Sequence, residues 1–193
     1  GACAPNPHSW YDRNKFESAG AAGGYIDRYG CPFCRGRVLK HLDTDRGQYD
    51  MTADVFWATG ACLMVRAEAF WKAGGLDGRF FAHMEEIDLC WKMQLHGWKV
   101  TVVPESVVYH VGGGTLPAES PFKLYLNYRN NLLMLENNLA KTYALQEFRK
   151  GRPADKAAKY GMDRAIRRIR FRKERIMRLH MLITPKLAQQ RQY

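Results

Sequence analysis

Phe80-Phe81-Ala82-His83-Met84-Glu85-Glu86-Ile87-Asp88-Leu89-Cys90-Trp91 is the stretch from which the rest of the chain can be read. Three of its carboxylates fall within four positions, behind an aromatic pair and ahead of an amphipathic run. A helix starting at Met84 or Glu85 puts Glu85 and Asp88 on one face at i,i+3, with Glu86 and Leu89 on a neighbouring one. Leu89, Met93 and Leu95 then supply an apolar stripe for a core. Acidic residues in a first helical turn are also what the helix dipole favours. The cluster alone therefore reads first as an ordinary charged helix start.

Outward from this helix the punctuation is regular. Gly97 follows His96 as a helix stop, and Gly74-Gly75 closes a shorter helix over Arg66 to Ala73. Val55 to Gly60 reads as a turn leading into a buried strand over Ala61 to Val65. Lys99 to Val103 reads as a strand ended by Pro104, and Val107 to Val111 as another, broken by Gly112-Gly113-Gly114. Pro121 to Leu139 reads as a helix with Phe122, Tyr125, Leu126, Leu132, Leu133 and Leu135 as core candidates, interrupted by Asn127, Arg129, Asn130 and Asn131. Strands around a helix predict α/β layering with some antiparallel pairing. Residues 1–7 are small and Pro-rich, predict no element, and look like the cut end of a longer chain. Ser18 to Gly24 is a Gly/Ala loop, read as close backbone packing or a linker in preference to phosphate binding.

The chain has 193 residues, a formal net charge of +11 and a pI near 9.6. An anionic partner is expected: nucleic acid, an acidic lipid surface or a sugar diphosphate. Most of the excess charge lies in roughly the last forty residues. There Arg164, Arg167, Arg168, Arg170, Arg172, Lys173, Arg175 and Arg178 interleave with Ile166, Ile169, Ile176 and Leu179. Such a basic helix is either a solvated face or suited to an anionic membrane surface. Nucleic-acid readout has no RNP, zinc-finger or helix-turn-helix pattern behind it. Cys31-Pro32-Phe33-Cys34 has no second pair to complete a zinc site, so the five cysteines are expected reduced and the compartment cytosolic. No signal peptide or membrane-length apolar run is read. Asp43-Thr44-Asp45 follows no apolar strand and reads as a turn.

The acidic stretch has an ordered context. Gly60-Ala61-Cys62-Leu63-Met64-Val65-Arg66, Phe70 and Gly74-Gly75-Leu76-Asp77 stand upstream. Gly97-Trp98-Lys99-Val100-Thr101-Val102-Val103-Pro104, Val107-Val108-Tyr109-His110 and the three glycines stand downstream. From about Phe16 to about Leu139 this series resembles the C-terminal half of family 2 glycosyltransferases, the bacterial rhamnosyltransferase-like enzymes of surface-polysaccharide synthesis.

The resemblance implies the second half of a GT-A, Rossmann-like fold: residues 1–15 as a leading end, 16–139 as the acceptor and catalytic-base region, and 140–193 as a basic helical tail. It implies inverting transfer from a nucleotide-sugar donor to a saccharide or lipid-linked acceptor. Glu86 takes the place of the catalytic base, where the family more often has Asp. Glu85 and Asp88 take the acceptor-binding positions. Arg129 is expected to reach a phosphate or to order the acidic helix. His110 matches a metal-ligating histidine for Mg²⁺ or Mn²⁺, an ion that also requires the DxD of a nucleotide-binding half absent from this sequence. Alone, such a half is expected to be inactive and prone to self-association. Its expected place is the cytoplasm, peripheral at the inner face of the membrane. The rival reading is a basic nucleic-acid-binding or membrane-surface module without catalysis.

Overall fold

The computed structural model describes residues 1–17, 20–38, 41–112 and 120–189, with backbone only for Phe148 and residues 175–189. Ser18, Ala19, Gly113, Gly114 and the side chains of Arg175, Ile176, Arg178 and Leu179 lie outside the described residues. The elements in order are β1 (Ala2–Ser9), β2 (Gly24–Ile26), β3 (Pro32–Cys34), β4 (Arg37–Val38), β5 (His41–Leu42), β6 (Ala53–Val55), β7 (Met64–Val65), α1 (Ala67–Lys72), α2 (Glu85–Leu95), β8 (Val100–His110), α3 (Pro121–Arg149) and α4 (Ala154–Gln189). The architecture is α/β. A mixed sheet runs β6-β8-β1-β7, with β1 and β8 parallel and both outer strands antiparallel to their neighbours. This arrangement is compatible with a fragment of a Rossmann-like fold.

Three expectations about strands are corrected. Residues 1–7 do form an element: β1 is an inner strand of the sheet. Its Ala, Cys and Pro residues carry little strand preference, so its conformation follows from pairing with Val100, Val102 and their neighbours across the sheet. Pro104 also does not end a strand. The ladder runs from Ala2↔Val100 to Pro5↔Val103, then resumes at Asn6↔Val107 and continues to Ser9↔His110. Proline has no N–H to give to a ladder. Pro5 and Pro104 flank this shift, and β8 passes through it as one strand.

The segment leading to β7 is likewise no buried strand. β7 has two residues at the sheet edge, and Met64 is 73% exposed. Helices α1 and α2 form where expected, and Gly97, at φ +85°, follows α2 in the left-handed conformation open to glycine. Helix α2 buries Ile87, Leu89, Cys90, Trp91 and Met93. Helix α3 continues past Leu139 to Arg149. Leu126 and Leu135 are buried in it, Leu132 and Leu133 are half-buried, while Phe122 and Tyr125 are exposed and stack on each other.

The chain divides into two compact units, Gly1–Met134 and Leu135–Tyr193. The second is a helical hairpin. Its buried seam on α4 is made of small residues, Ala157, Gly161 and Ala165, while Ile166 is half exposed. A Cβ on Gly161 would stand 2.5 Å from the Ala140 carbonyl oxygen and 2.7 Å from the Ala144 nitrogen. Replacing Gly161 with valine should force the helices apart and cost about 1–3 kcal/mol, seen as lost hydrogen-exchange protection over 154–174. Unchanged protection would refute this packing. No helix among the described residues is long and apolar enough to cross a membrane.

Candidate active site

The site is built around an irregular approach to α2. Asp77 caps a 3-10 turn over Gly78–Phe80, accepting from the Arg79 N–H at 3.0 Å. Phe80 is fully buried beneath it. The chain then passes through Phe81, His83 and Met84 at φ +63°, +69° and +75°. Left-handed conformations in bulky residues cost of order 1–3 kcal/mol each and persist only where surroundings hold them. Here the restraint comes from α3. The Asn130 Nδ2 donates to the carbonyls of Phe80, Ala82 and His83 at 2.9, 2.7 and 2.7 Å. Its two hydrogens are thus shared among three acceptors. Arg129 donates through one terminal nitrogen to the carbonyls of Arg79 and Phe80, both at 2.8 Å, and through Nε to the Asn130 Oδ1 at 2.8 Å. Asn131 reaches a different loop and donates to the Gly30 carbonyl at 2.9 Å. The Arg129 contacts present are thus to the turn that leads into α2.

Beside this approach lies a cleft of about 720 Å³. Glu86, Ile87, Met84 and His83 line one side, Lys123, Leu124, Asn127 and Tyr128 of α3 another, and Trp57, Phe33, Cys34, Arg37, Pro32 and Gly20 the rest. Trp57 is fixed by an Nε1–H bond to the Tyr25 carbonyl at 2.9 Å. Its indole lies so close over Gly24 that any Cβ there would overlap it. Close backbone packing is thus what the glycines at 20–24 provide.

Glu86 is half-buried where it lines this cleft, and its Oε2 is enclosed without a hydrogen-bond partner. Burial, then the neighbouring charge of Glu85, pushes its pKa up to about 7. Backbone N–H groups of Glu86, Ile87 and Gly60 pull the other way without offsetting them. Asp88 is 1% exposed and pairs with Lys92 one turn on, at 2.5 Å. Burial and the Lys123 charge lower the pKa of His83, against the opposing charge of Glu85. Burial raises that of the Cys34 thiol, which disfavours the nucleophilic thiolate.

The other expected site residues are not part of the cleft lining. Glu85 precedes Glu86 with its own Oε2 buried and unpartnered. His110 ends β8, its Nδ1 3.4 Å from the Glu17 Oε2. Among the described residues no three His, Cys, Asp or Glu side chains converge as a metal site. One imidazole does not hold Mg²⁺ or Mn²⁺, so ligation at His110 would need groups from elsewhere. Asp45 of the Asp-Thr-Asp tripeptide pairs with the His8 Nε2 at 3.0 Å. Sequence reasoning passed over Asn130, His83, Lys123 and Trp57 as site residues. For Asn130 a signal was present: consecutive asparagines inside an otherwise apolar helix are costly to bury unless they bond something.

No protein-family model matches the chain. A stretch of 56 residues is 43% identical to the N-acetylglucosaminyl-diphospho-decaprenol L-rhamnosyltransferase of Mycobacterium tuberculosis, alike in strains CDC 1551 / Oshkosh and ATCC 25618 / H37Rv. The match covers 29% of this chain and 18% of the relative. At the level this supports, the chain is glycosyltransferase-like.

Proposed function

We propose that this chain is the acceptor-binding and catalytic-base portion of an inverting, GT-A-type family 2 glycosyltransferase of cell-surface polysaccharide synthesis. The observation that carries the proposal is the Glu86 carboxyl, buried in a cleft of sugar-accommodating size with its pKa raised to about 7. A carboxylate this basic is matched to taking a proton near neutral pH. In the reaction an acceptor hydroxyl gives its proton to Glu86 as its oxygen bonds to the donor's anomeric carbon. The bond from that carbon to the nucleoside diphosphate breaks, and the diphosphate leaves with the electron pair. Trp57 and Phe33 offer flat apolar faces against which a sugar ring can pack. Glu85 keeps the base basic, and Arg129 and Asn130 keep it in place. Asp88, buried and paired with Lys92, would act on the acceptor only through the helix that carries Glu86.

The nucleotide sugar would be bound by a nucleotide-binding half outside this sequence, which would also supply the DxD that joins His110 around Mg²⁺ or Mn²⁺. The acceptor would be a saccharide, free or lipid-linked. Helix α4 exposes Met162 and Ile166 beside Arg167 and Arg170, which supports a peripheral position on an anionic membrane at its cytoplasmic face. Without its other half the chain would be inactive and its sheet edges could self-associate.

The test is the pH dependence of nucleoside diphosphate release by the protein with its nucleotide-binding half. The base works only when ionised, so the rate should fall about tenfold for each pH unit below about 7 and level off above it. A flat profile from about pH 5.5 to 8 would remove Glu86 from this role.

A further inference from the structure

We propose that Phe81, Phe122 and Tyr125 form a lipid-docking patch at the rim of the cleft, through which the first unit seats the cleft mouth on an anionic bilayer surface. This goes beyond the peripheral position read from α4. The patch lies on the other unit and stands or falls without that helix.

The three rings make one continuous apolar surface. Phe81 and Phe122 have their ring centres 6.2 Å apart, and Phe122 stacks on Tyr125 at 6.3 Å. They are 73%, 49% and 55% exposed. Both segments of the patch adjoin the cleft. Lys123 and Leu124, which line it, stand between Phe122 and Tyr125, and the lining residues His83 and Met84 follow closely on Phe81. The Phe81 ring is held outward by the turn that carries it. Its φ is +63°, and Asn130 bonds the carbonyls of Phe80 and Ala82 on either side. Contiguous apolar surface on a restrained segment is what an interaction site presents.

Charge and area identify the partner. The Arg129 guanidinium lies over Tyr125, 5.7 Å from the ring centre. Among the described residues neither Arg129 nor Lys123 forms a salt bridge, whereas Asp77 is matched by Arg79. The patch is thus aromatic with a positive rim, which suits the headgroup level of a membrane containing anionic lipids. Together the rings expose roughly 300–400 Å², short of the about 800 Å² that each side of a stable protein interface buries. Insertion into lipid has no such threshold, because its strength grows with each apolar side chain buried.

The test mixes the full chain with bicelles of phosphatidylcholine, with or without phosphatidylglycerol, doped with 5-doxyl lipid, and follows the aromatic resonances by NMR. Phe81, Phe122 and Tyr125 should broaden with the anionic bicelles, while Trp71, exposed on α1, should stay sharp. Phe81→Asn combined with Phe122→Gln should weaken co-sedimentation with phosphatidylglycerol vesicles at least about tenfold. Phe81→Trp combined with Phe122→Trp should preserve it. The broadening is read on the parent chain, so it decides even where a variant misfolds. Binding with the three rings unbroadened would put the contact on α4 or another basic surface and overturn the patch. Equal broadening of Trp71, equal binding to phosphatidylcholine alone, no binding, or unchanged sedimentation of the Asn/Gln variant would also overturn it. So would dimerisation through these residues without vesicle binding, which would make the patch a contact between copies. No readout involves Glu86, so the catalytic reading fails or holds separately.

Discussion

Glu86→Gln should lower sugar transfer by about a hundred- to ten-thousand-fold, the usual worth of a general base, while donor binding stays near that of the parent. The amide keeps the shape of the carboxyl and the hydrogen-bonding reach but cannot take a proton. The same substitution should stabilise the fold above neutral pH. Glu86 titrates near 7 in the folded chain against about 4.5 in a free glutamate, so the folded state holds the proton more tightly. Stability attached to this group is fully present below about pH 4.5 and is lost as pH rises through about 7. By pH 8 the ionised, buried carboxylate costs up to about 3 kcal/mol, which glutamine does not incur. Urea unfolding should therefore show the variant more stable than the parent at pH 8, with the gap narrowing toward pH 5. Equal stability at both pH values would mean that the carboxyl is solvated, and transfer at parental rates would mean that the base lies elsewhere.

Asn130→Leu should be the most damaging change made outside the cleft. It leaves the carbonyls of Ala82 and His83 without the donor seen here, while Phe80 keeps Arg129. Unpaired buried carbonyls cost about 1–3 kcal/mol each, and relaxation of the strained turn recovers part of this. A net loss of about 3 kcal/mol is expected in urea unfolding. Once the turn relaxes, the first turn of α2 shifts, and a displacement near 1 Å at a catalytic group costs about a hundredfold in rate. Asn130→Asp should be worse than leucine, because it sets a carboxylate against three carbonyl oxygens. If leucine leaves both stability and transfer unchanged, the clamp is not what holds Glu86.

Much of the frame was legible residue by residue. The first turn of α2, its end at Gly97, the Gly74-Gly75 stop and the general α/β class follow from local rules: charge at a helix start, glycine where φ is positive, and alternation where a face is buried. The strand β1 was not legible. Its small residues and prolines say little about conformation until β8 lies beside them, and β8 itself looked like two strands because Pro104 is read locally as a stop. The seam of the helical hairpin was hidden for a related reason. The arginines and isoleucines suggest a solvated or membrane-facing helix, and the seam instead falls on small residues because the helices approach closely at Gly161.

The sequence by itself determined that three carboxylates stand at the start of an amphipathic helix, since charge at a helix start and the apolar period behind it are visible in one dimension. The base role of Glu86 came from the resemblance and not from the spacing. Only the tertiary structure decided that Glu86, and not Glu85 or Asp88, opens onto the cleft, that Lys92 occupies Asp88, and that Arg129 and Asn130 hold a turn fifty residues away. Those outcomes depend on burial and on hydrogen bonds between distant segments. Both are properties of the folded surroundings, and no spacing along the chain encodes them.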